Sequence, residues 1–194
     1  MGIDEDKEIR QIAYNLAMKT AHIPENLRSG FETYVAKTPE HATLITAAKS
    51  WADAFDPRNP PKRGLVFSGL TGCGKSHLAA AIMARIIKRT VFSYDMQFWR
   101  MDELFGDIRA TWGKGAPAGS EKRLLEDLNQ AQLLVLDDFG SERPVYHVLE
   151  RLYTILGNRE CVSKPIIVTT NLGPQRLEDY WKRDPECSEI AERV

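Results

Sequence analysis

Apolar residues recur along this chain with two different periods, and these periods predict helices that alternate with short buried strands. Helical spacing of Ile9, Ile12, Ala13 and Leu16 predicts an amphipathic N-terminal helix, which we expect to form a segment of its own at residues 1–20. Further helices are predicted near Leu44–Phe55, His77–Ile87, Met96–Trp112, Glu121–Gln130 and Val145–Arg159.

Four short apolar runs lie between these helices and predict strands: Leu65–Phe67, Thr90–Tyr94, Leu133–Leu136 and Pro165–Thr169. Strands that alternate with helices are typical of βαβ units, in which a parallel sheet is covered by helices. We therefore predict an α/β fold with its core at residues 21–194, entered through a connector at Ala21–Tyr34 that Pro and Gly residues interrupt.

A glycine-rich loop stands where the first predicted strand meets the following helix. Its pattern of Gly, four residues and Gly-Lys-Ser is a phosphate-binding P-loop. Glycines let backbone N–H groups approach phosphate oxygens closely, and the helix that begins there adds its positive dipole end. A chance glycine-rich turn is the alternative, but the strand before the loop and the helix after it favour a nucleotide site. The predicted cofactor-binding residues are Gly69, Thr71, Gly72, Cys73, Gly74, Lys75 and Ser76.

Each polar residue of this loop has an expected role. Lys75 supplies a positive charge for the β- and γ-phosphates, and the Ser76 hydroxyl is a ligand for Mg²⁺.

Two further polar positions follow predicted strands. Asp137 and Asp138 end the run Leu133–Leu136, where we expect Asp137 to hold Mg²⁺ and Asp138 to orient or deprotonate the attacking water. Asn171 ends the next strand and is predicted to hold the γ-phosphate or that water. The alternatives are a solvated Asp-Asp turn and an ordinary Asn in a turn, both of which are common.

Composition excludes several other classes of protein. The formal net charge is -1, so no overall basic field indicates nucleic acid binding. The N-terminus is acidic and no apolar run reaches transmembrane length, so we predict no membrane association and a cytoplasmic location. Three scattered cysteines without CxxC spacing suit a reducing compartment and argue against structural zinc. These are Cys73, Cys161 and Cys187.

On these motifs the chain resembles an AAA+ ATPase, and within that class the DnaC/IstB-type group of bacterial helicase loaders and transposition helper ATPases. The segments that carry the resemblance are Gly69–Ile82, Leu134–Arg143 and Lys164–Leu172. The His77-Leu78-Ala79 sequence after the P-loop and the Asp-Asp-x-Gly pattern at Asp137 are more specific than the general motifs. The resemblance extends from about Ile23 to the end of the chain.

The resemblance implies ATP bound with Mg²⁺ at a border between subunits, and ATP hydrolysis by a homo-oligomeric ring or filament. It implies that Ile23 lies near the adenine, that His77 belongs to the cofactor site, and that a neighbouring subunit donates an arginine finger. Arg193 is the first candidate for that finger and Arg159 the second; for both, a surface salt bridge is the alternative. A replicative DNA helicase and single-stranded DNA are the implied partners.

Three departures from the family pattern stand out. Asp138 occupies a position where many AAA+ proteins have Glu, which puts unassisted turnover in question. The sequence ends at Val194, before the expected last strand and helical lid, so we expect a truncated core. Only the helix near Glu5–Lys19 precedes that core as a helicase-binding element.

Three functions remain open from the sequence. The first is a helicase loader in replication initiation, the second a transposition or phage-type helper that forms filaments on DNA, and the third a nucleotide-dependent scaffold with little hydrolysis. Candidate DNA contacts lie around a flexible loop, where Trp112 is expected either to stack on a base or to be a half-buried surface residue. The basic candidates are Arg109, Lys114, Lys122 and Arg123.

Overall fold

The computed structural model describes residues 2–90, 95–141, 146–173, 175, 176 and 179. In chain order the elements are α1 (Gly2–Thr20), two one-turn 3-10 helices (Glu25–Leu27 and Phe31–Thr33), α2 (Pro39–Ala54), β1 (Leu65–Ser68), α3 (Lys75–Arg89), β2 (Met96–Arg100), α4 (Met101–Ala110), α5 (Ser120–Gln130), β3 (Leu133–Phe139), α6 (Tyr146–Cys161) and β4 (Ile166–Thr170). The alternation of strands and helices predicted from the sequence is confirmed.

The four strands form one parallel sheet in the order β1-β4-β3-β2. Residues of β3 alternate between two apolar layers, because successive side chains of a strand point to opposite faces. Leu133 and Val135 pack in the layer that contains α3, whereas Leu134 and Leu136 pack in the layer that contains α4 and α6. Strand β3 is therefore covered on both faces, and the carboxyl ends of β1, β3 and β4 lie side by side.

One predicted element is wrong. Met96–Trp112 was expected to be a continuous helix, but Met96–Arg100 is strand β2 and the helix α4 begins only at Met101. Met96, Phe98 and Trp99 are all buried, so this segment fills the interior as a strand. The strand predicted at Thr90–Tyr94 falls mostly outside the described residues, and Thr90 itself caps the end of α3.

The two ends of α1 differ in their surroundings. Near its C-terminal end, Met18 is fully buried, and the carbonyl of Ala21 just beyond the helix accepts the Phe98 N–H at 2.8 Å, which joins this end to β2. Ile9, Ile12 and Leu16 lie on a different face of α1 and are 61–63% exposed. None of the described helices combines the length and apolar character needed to cross a membrane.

A buried arginine fixes the start of β4. Arg159 is fully buried and donates from its guanidinium to the carbonyls of Leu128 (2.7 Å), Ala131 (2.8 Å) and Pro165 (2.8 Å). Burial lowers the pKa of Arg159 to about 10, so it stays charged at neutral pH. This positive charge at the C-terminus of α5 complements the helix dipole and joins α5 to β4.

Candidate nucleotide site

The P-loop connects β1 to α3 and has the geometry that phosphate binding requires. Gly72 and Gly74 adopt left-handed backbone conformations with φ of 78° and 94°, which other residues rarely adopt. Gly74 also leaves no room for a side chain, because a Cβ there would lie 2.6 Å from the Tyr34 hydroxyl. Helix α3 begins at the next residue, Lys75, so its unpaired N–H groups lie at the loop.

Three oxygen acceptors and the Cys73 sulfur, at 3.8 Å, surround the ammonium group of Lys75. Its Nζ donates to the carbonyls of Gly69 and Leu70, both at 2.9 Å, and to the side-chain oxygen of Asn171 at 2.8 Å. The last contact crosses from the P-loop to the end of β4. Lys75 and Asn171, which are 96 positions apart in the sequence, therefore share one site.

Asn171 also contacts the acidic pair, Asp137 and Asp138, at the end of β3. Its amide nitrogen donates to Oδ1 of Asp138 at 2.9 Å, so Lys75, Asn171 and Asp138 form a hydrogen-bonded row. The three motifs chosen from the sequence thus meet at the carboxyl edge of the sheet, where open α/β sheets bind ligands.

The acidic pair also contacts a residue that sequence reasoning did not select. The buried hydroxyl of Thr169 donates to Oδ1 of Asp137 at 2.6 Å and accepts the backbone N–H of Asp138 at 2.9 Å. Thr169 is 1% and Asp137 5% exposed, so both lie at the wall of the site. A polar residue at a strand end marks Asn171, but this pattern gives no reason to choose Thr169.

The connector before α2 packs against the P-loop. The Tyr34 hydroxyl lies 3.3 Å from the carbonyls of both Cys73 and Gly74, and burial raises the pKa of Tyr34. Nothing in the sequence singled out Tyr34.

The same connector surrounds His77. His77 Nε2 lies 3.1 Å from the Ser29 hydroxyl, 3.2 Å from the Thr33 hydroxyl and 3.2 Å from the Gly30 carbonyl. His77 therefore joins α3 to the connector, and its expected contact with a cofactor stays a prediction. Ile23 is 1% exposed and packs in the apolar layer with α3, so its side chain offers almost no free surface to an adenine.

The two arginine-finger candidates have different outcomes. Arg193 lies outside the described residues, and its role stays a prediction. Arg159 is wrong as a finger, because its buried guanidinium is bonded to three carbonyls of its own chain and cannot reach a neighbour.

The candidate DNA-binding residues lie on the surface around α4 and α5. Trp112 is 42% exposed, and its ring nitrogen donates to Glu121 at 3.1 Å, while the ring lies edge-on to His147. Arg151 also donates to Glu121, at 2.6 Å, and these two hydrogen bonds lower the pKa of Glu121. The four basic candidates are exposed: Arg109, Lys114, Lys122 and Arg123. Trp112 is thus held by an acidic side chain, which favours a structural role for it over base stacking.

The chain is similar to known proteins. The profile of the IstB-like ATP-binding protein family matches residues 54–189, well over half of the chain. The chain belongs to this family. Its α/β fold with a P-loop and a parallel sheet is that of an AAA+ core, and the predicted resemblance is confirmed.

Individual relatives are distant. The replicative helicase loader DnaC of Escherichia coli K12 is 25% identical over 154 residues, which cover 79% of this chain and 60% of the loader. An ATP-binding protein in an insertion sequence of Mycobacterium tuberculosis is 25% identical over 197 residues, which cover 100% of this chain and 73% of that protein. A crystal structure of the DnaC helicase loader superposes with a TM-score of 0.68 at 24% identity, over 87% of this chain and 96% of that one.

Proposed function

We propose that this chain hydrolyses ATP with the help of Mg²⁺, and that it uses ATP binding and hydrolysis to load a replicative helicase onto single-stranded DNA. The observation that carries the enzymatic part is the row Lys75–Asn171–Asp138. It connects a phosphate-binding cation to an acid that can accept a proton, through an amide that accepts a hydrogen bond from Lys75 and donates one to Asp138.

The donor set of the site fits Mg²⁺. This ion prefers oxygen ligands and is usually held by one or two carboxylates together with phosphates and water. The Asp137 carboxylate and the Ser76 hydroxyl are oxygen donors of this kind at the ends of β3 and the P-loop. When bound, the ion neutralises negative charge that develops on the phosphates. Ser76 and Asp137 are the residues that would hold it.

The remaining roles follow from position. Lys75 compensates phosphate charge, Asn171 orients the γ-phosphate or the attacking water, and Asp138 orients that water and accepts its proton. In the structure Asn171 holds both Lys75 and Asp138, so a phosphate that takes over Lys75 would change the hydrogen bonding of Asp138. The binding of phosphate and the orientation of Asp138, the proposed general base, are therefore coupled through Asn171.

The loader role rests on the similarity to DnaC, which spans most of this chain but little more than half of the loader. A helper ATPase of a mobile element is a second candidate, because the similarity to the insertion-sequence protein extends over the whole chain. The two candidates share the nucleotide site and differ in partner: a hexameric helicase for the first, and a filament on DNA for the second.

Two measurements test these proposals in sequence. ATP turnover is measured with and without single-stranded DNA, with Lys75→Ala as the inactive control. Turnover that depends on Lys75 supports the enzyme, whereas tight ATP binding with no turnover under either condition favours a nucleotide-dependent scaffold.

The partner is then tested by capture of purified hexameric helicase, with ATP and with ADP. ATP-dependent capture supports the loader. Absence of capture, together with ATP-dependent filaments on DNA in electron micrographs, supports the helper ATPase.

A further inference from the structure

We propose that Thr169 is a positioning residue, whose single hydroxyl orients both acids of the nucleotide site, Asp137 and Asp138. The inference rests on the proposed ATP hydrolysis and adds a residue to its machinery. Thr169 itself would touch neither nucleotide nor metal, since its side chain is 1% exposed.

The first observation is an irregularity in the sheet. β3 and β4 pair in register at Leu136 with Val168 and again at Phe139 with Thr170. Between these pairs, β3 has two residues, Asp137 and Asp138, while β4 has only Thr169. This is a β-bulge, a feature that redirects side chains and is frequent next to active sites.

The second observation is the backbone of Asp138. Its φ is 60°, in the left-handed region that residues other than glycine rarely occupy. Asp tolerates this region better than most residues, and contacts of the surrounding residues stabilise it here. The Asp138 N–H donates to the Thr169 hydroxyl and its carboxylate accepts from Asn171, so side chains from the end of β4 hold both its backbone and its side chain.

The third observation is the direction of the Thr169 hydrogen bonds. A hydroxyl has one proton to donate and two lone pairs to accept with. The Thr169 hydroxyl oxygen accepts the hydrogen bond from the Asp138 N–H. Its own hydroxyl proton is therefore free to be donated to Asp137 Oδ1, and this oxygen lies 2.6 Å away. A short hydrogen bond to one carboxylate oxygen fixes the carboxyl plane and leaves the second oxygen for a cation. The bulge thus lets one buried hydroxyl orient the proposed metal ligand and the proposed base together.

The neighbouring threonine provides a matched comparison. Thr170 is equally buried, at 0% exposure, and its hydroxyl donates to the Phe139 carbonyl at 2.6 Å and accepts the Leu172 N–H at 3.0 Å. Its bonds are only to backbone groups. Thr170→Val and Thr169→Val therefore delete the same group from the same strand, but only the second deletes a bond to the acids.

The experiment compares the 194-residue chain carrying Thr169→Val or Thr170→Val with wild type in two assays. The first is steady-state ATP turnover, resolved into kcat and KM. The second is the Mg²⁺ concentration that gives half-maximal binding of a fluorescent ATP analogue, which requires no turnover. Partners that orient metal ligands typically change metal affinity or activity by about 10–100-fold. We expect Thr169→Val to lower kcat and raise the Mg²⁺ midpoint by about 10-fold or more, with a smaller change in KM.

Thr169→Ser keeps the hydroxyl and should restore both values to within about threefold of wild type, whereas Thr169→Ala should not. The Ser and Ala variants have nearly the same shape, so this pair decides the question if Thr169→Val fails to fold. The inference is overturned if Thr169→Val changes kcat and the Mg²⁺ midpoint no more than Thr170→Val does, or if Ser and Ala behave alike. If wild type binds the analogue but hydrolyses no ATP, the proposed hydrolysis fails, and the Mg²⁺ midpoints still decide the role of Thr169.

Discussion

Lys75 is held in place by hydrogen bonds within the proposed phosphate site. Its ammonium group donates to two P-loop carbonyls and to the Asn171 side chain, which fix its position at the start of α3. We expect a bound phosphate to exchange these hydrogen bonds for stronger ones between two charged groups.

We expect Lys75→Ala to weaken ATP binding by about 100-fold or more, because hydrogen bonds to charged groups contribute about 1.5–3 kcal/mol each. Equilibrium binding of a fluorescent ATP analogue measures the loss. Lys62→Ala, which removes an exposed lysine before β1, is the matched control and should bind normally. Unchanged affinity in Lys75→Ala would contradict the P-loop assignment.

The two acids should respond differently to loss of charge. Asp138→Asn should keep ATP binding and lose most hydrolysis, because an amide cannot accept the proton of the attacking water. Asp137→Asn should instead weaken the Mg²⁺-dependent part of ATP binding, since it removes a charged oxygen ligand. Binding titrations at several Mg²⁺ concentrations and single-turnover hydrolysis separate the two effects. Equal and mild losses at both positions would rule out this division of roles.

At the scale of elements, the helices and the strands β1, β3 and β4 follow from their patterns, but β2 does not. The run Met96–Arg100 leads into α4 without a Gly, a Pro or a favourable N-cap residue. The acidic residues Asp102 and Glu103 in the first turn of α4 are a weak signal for the change from strand to helix. Tertiary structure determines that this segment is a strand. β2 pairs with β3 from Met96 to Arg100, and this backbone pairing overrides the local propensity for helix.

The site likewise contains residues that the sequence predicts and residues that it does not. That Lys75, Asp138 and Asn171 meet could be predicted, because strand ends and the P-loop have recognisable sequences, whereas the catalytic and metal-binding roles of these residues stay predictions. Thr169 could not be distinguished from its neighbours in the sequence, because its proposed role depends on a β-bulge that no local sequence pattern predicts. Tyr34 contacts the P-loop from 39 residues away along the chain, and such long-range packing leaves no periodic signal.

Arg159 joins three elements, so its loss should affect the stability of the fold. Arg159→Met would remove the donors from three carbonyls, and each buried carbonyl left unsatisfied costs about 1–3 kcal/mol. We expect a loss of about 3 kcal/mol or more, which lowers the melting temperature by roughly 6–12 °C in a domain of this size. Thermal unfolding measures the shift, and Arg58→Met, at an exposed position, is the control. A variant as stable as wild type would contradict this role.

At the scale of the whole molecule, the exposed row on α1 offers a test of the loader proposal. Ile9, Ile12 and Leu16 are 61–63% exposed on a helix whose C-terminal end is packed into the core. If the helicase binds α1, a charge in this row should weaken capture of the helicase by about tenfold or more, since burying an unpaired charge is costly. Ile12→Asp is compared with Gln11→Asp, which adds the same charge at the adjacent exposed position. Equal capture by both variants, with equal ATP binding, would exclude this face of α1 as the helicase contact.

At the scale of assembly, the family resemblance implies that an arginine of a neighbouring subunit, for which Arg193 is the candidate, completes the nucleotide site. An arginine finger contributes about 10³–10⁵ in rate in the nucleotide hydrolases where its effect is known. A dilute monomer should therefore hydrolyse ATP slowly, and turnover per subunit should rise steeply with protein concentration or on addition of DNA that gathers subunits.

Mixing inactive variants gives the sharper test. Arg193→Ala keeps an intact P-loop and lacks the proposed finger, whereas Lys75→Ala has the finger and a defective P-loop. Each variant alone should be inactive. An equimolar mixture should recover activity, because at some subunit interfaces the P-loop with an intact Lys75 meets a neighbour with an intact Arg193. Arg183→Ala, another C-terminal arginine substitution, should be active alone and is the control. Recovery in the mixture requires a shared site, whereas turnover that stays constant on dilution, together with an active Arg193→Ala, would mean that each subunit completes its own site.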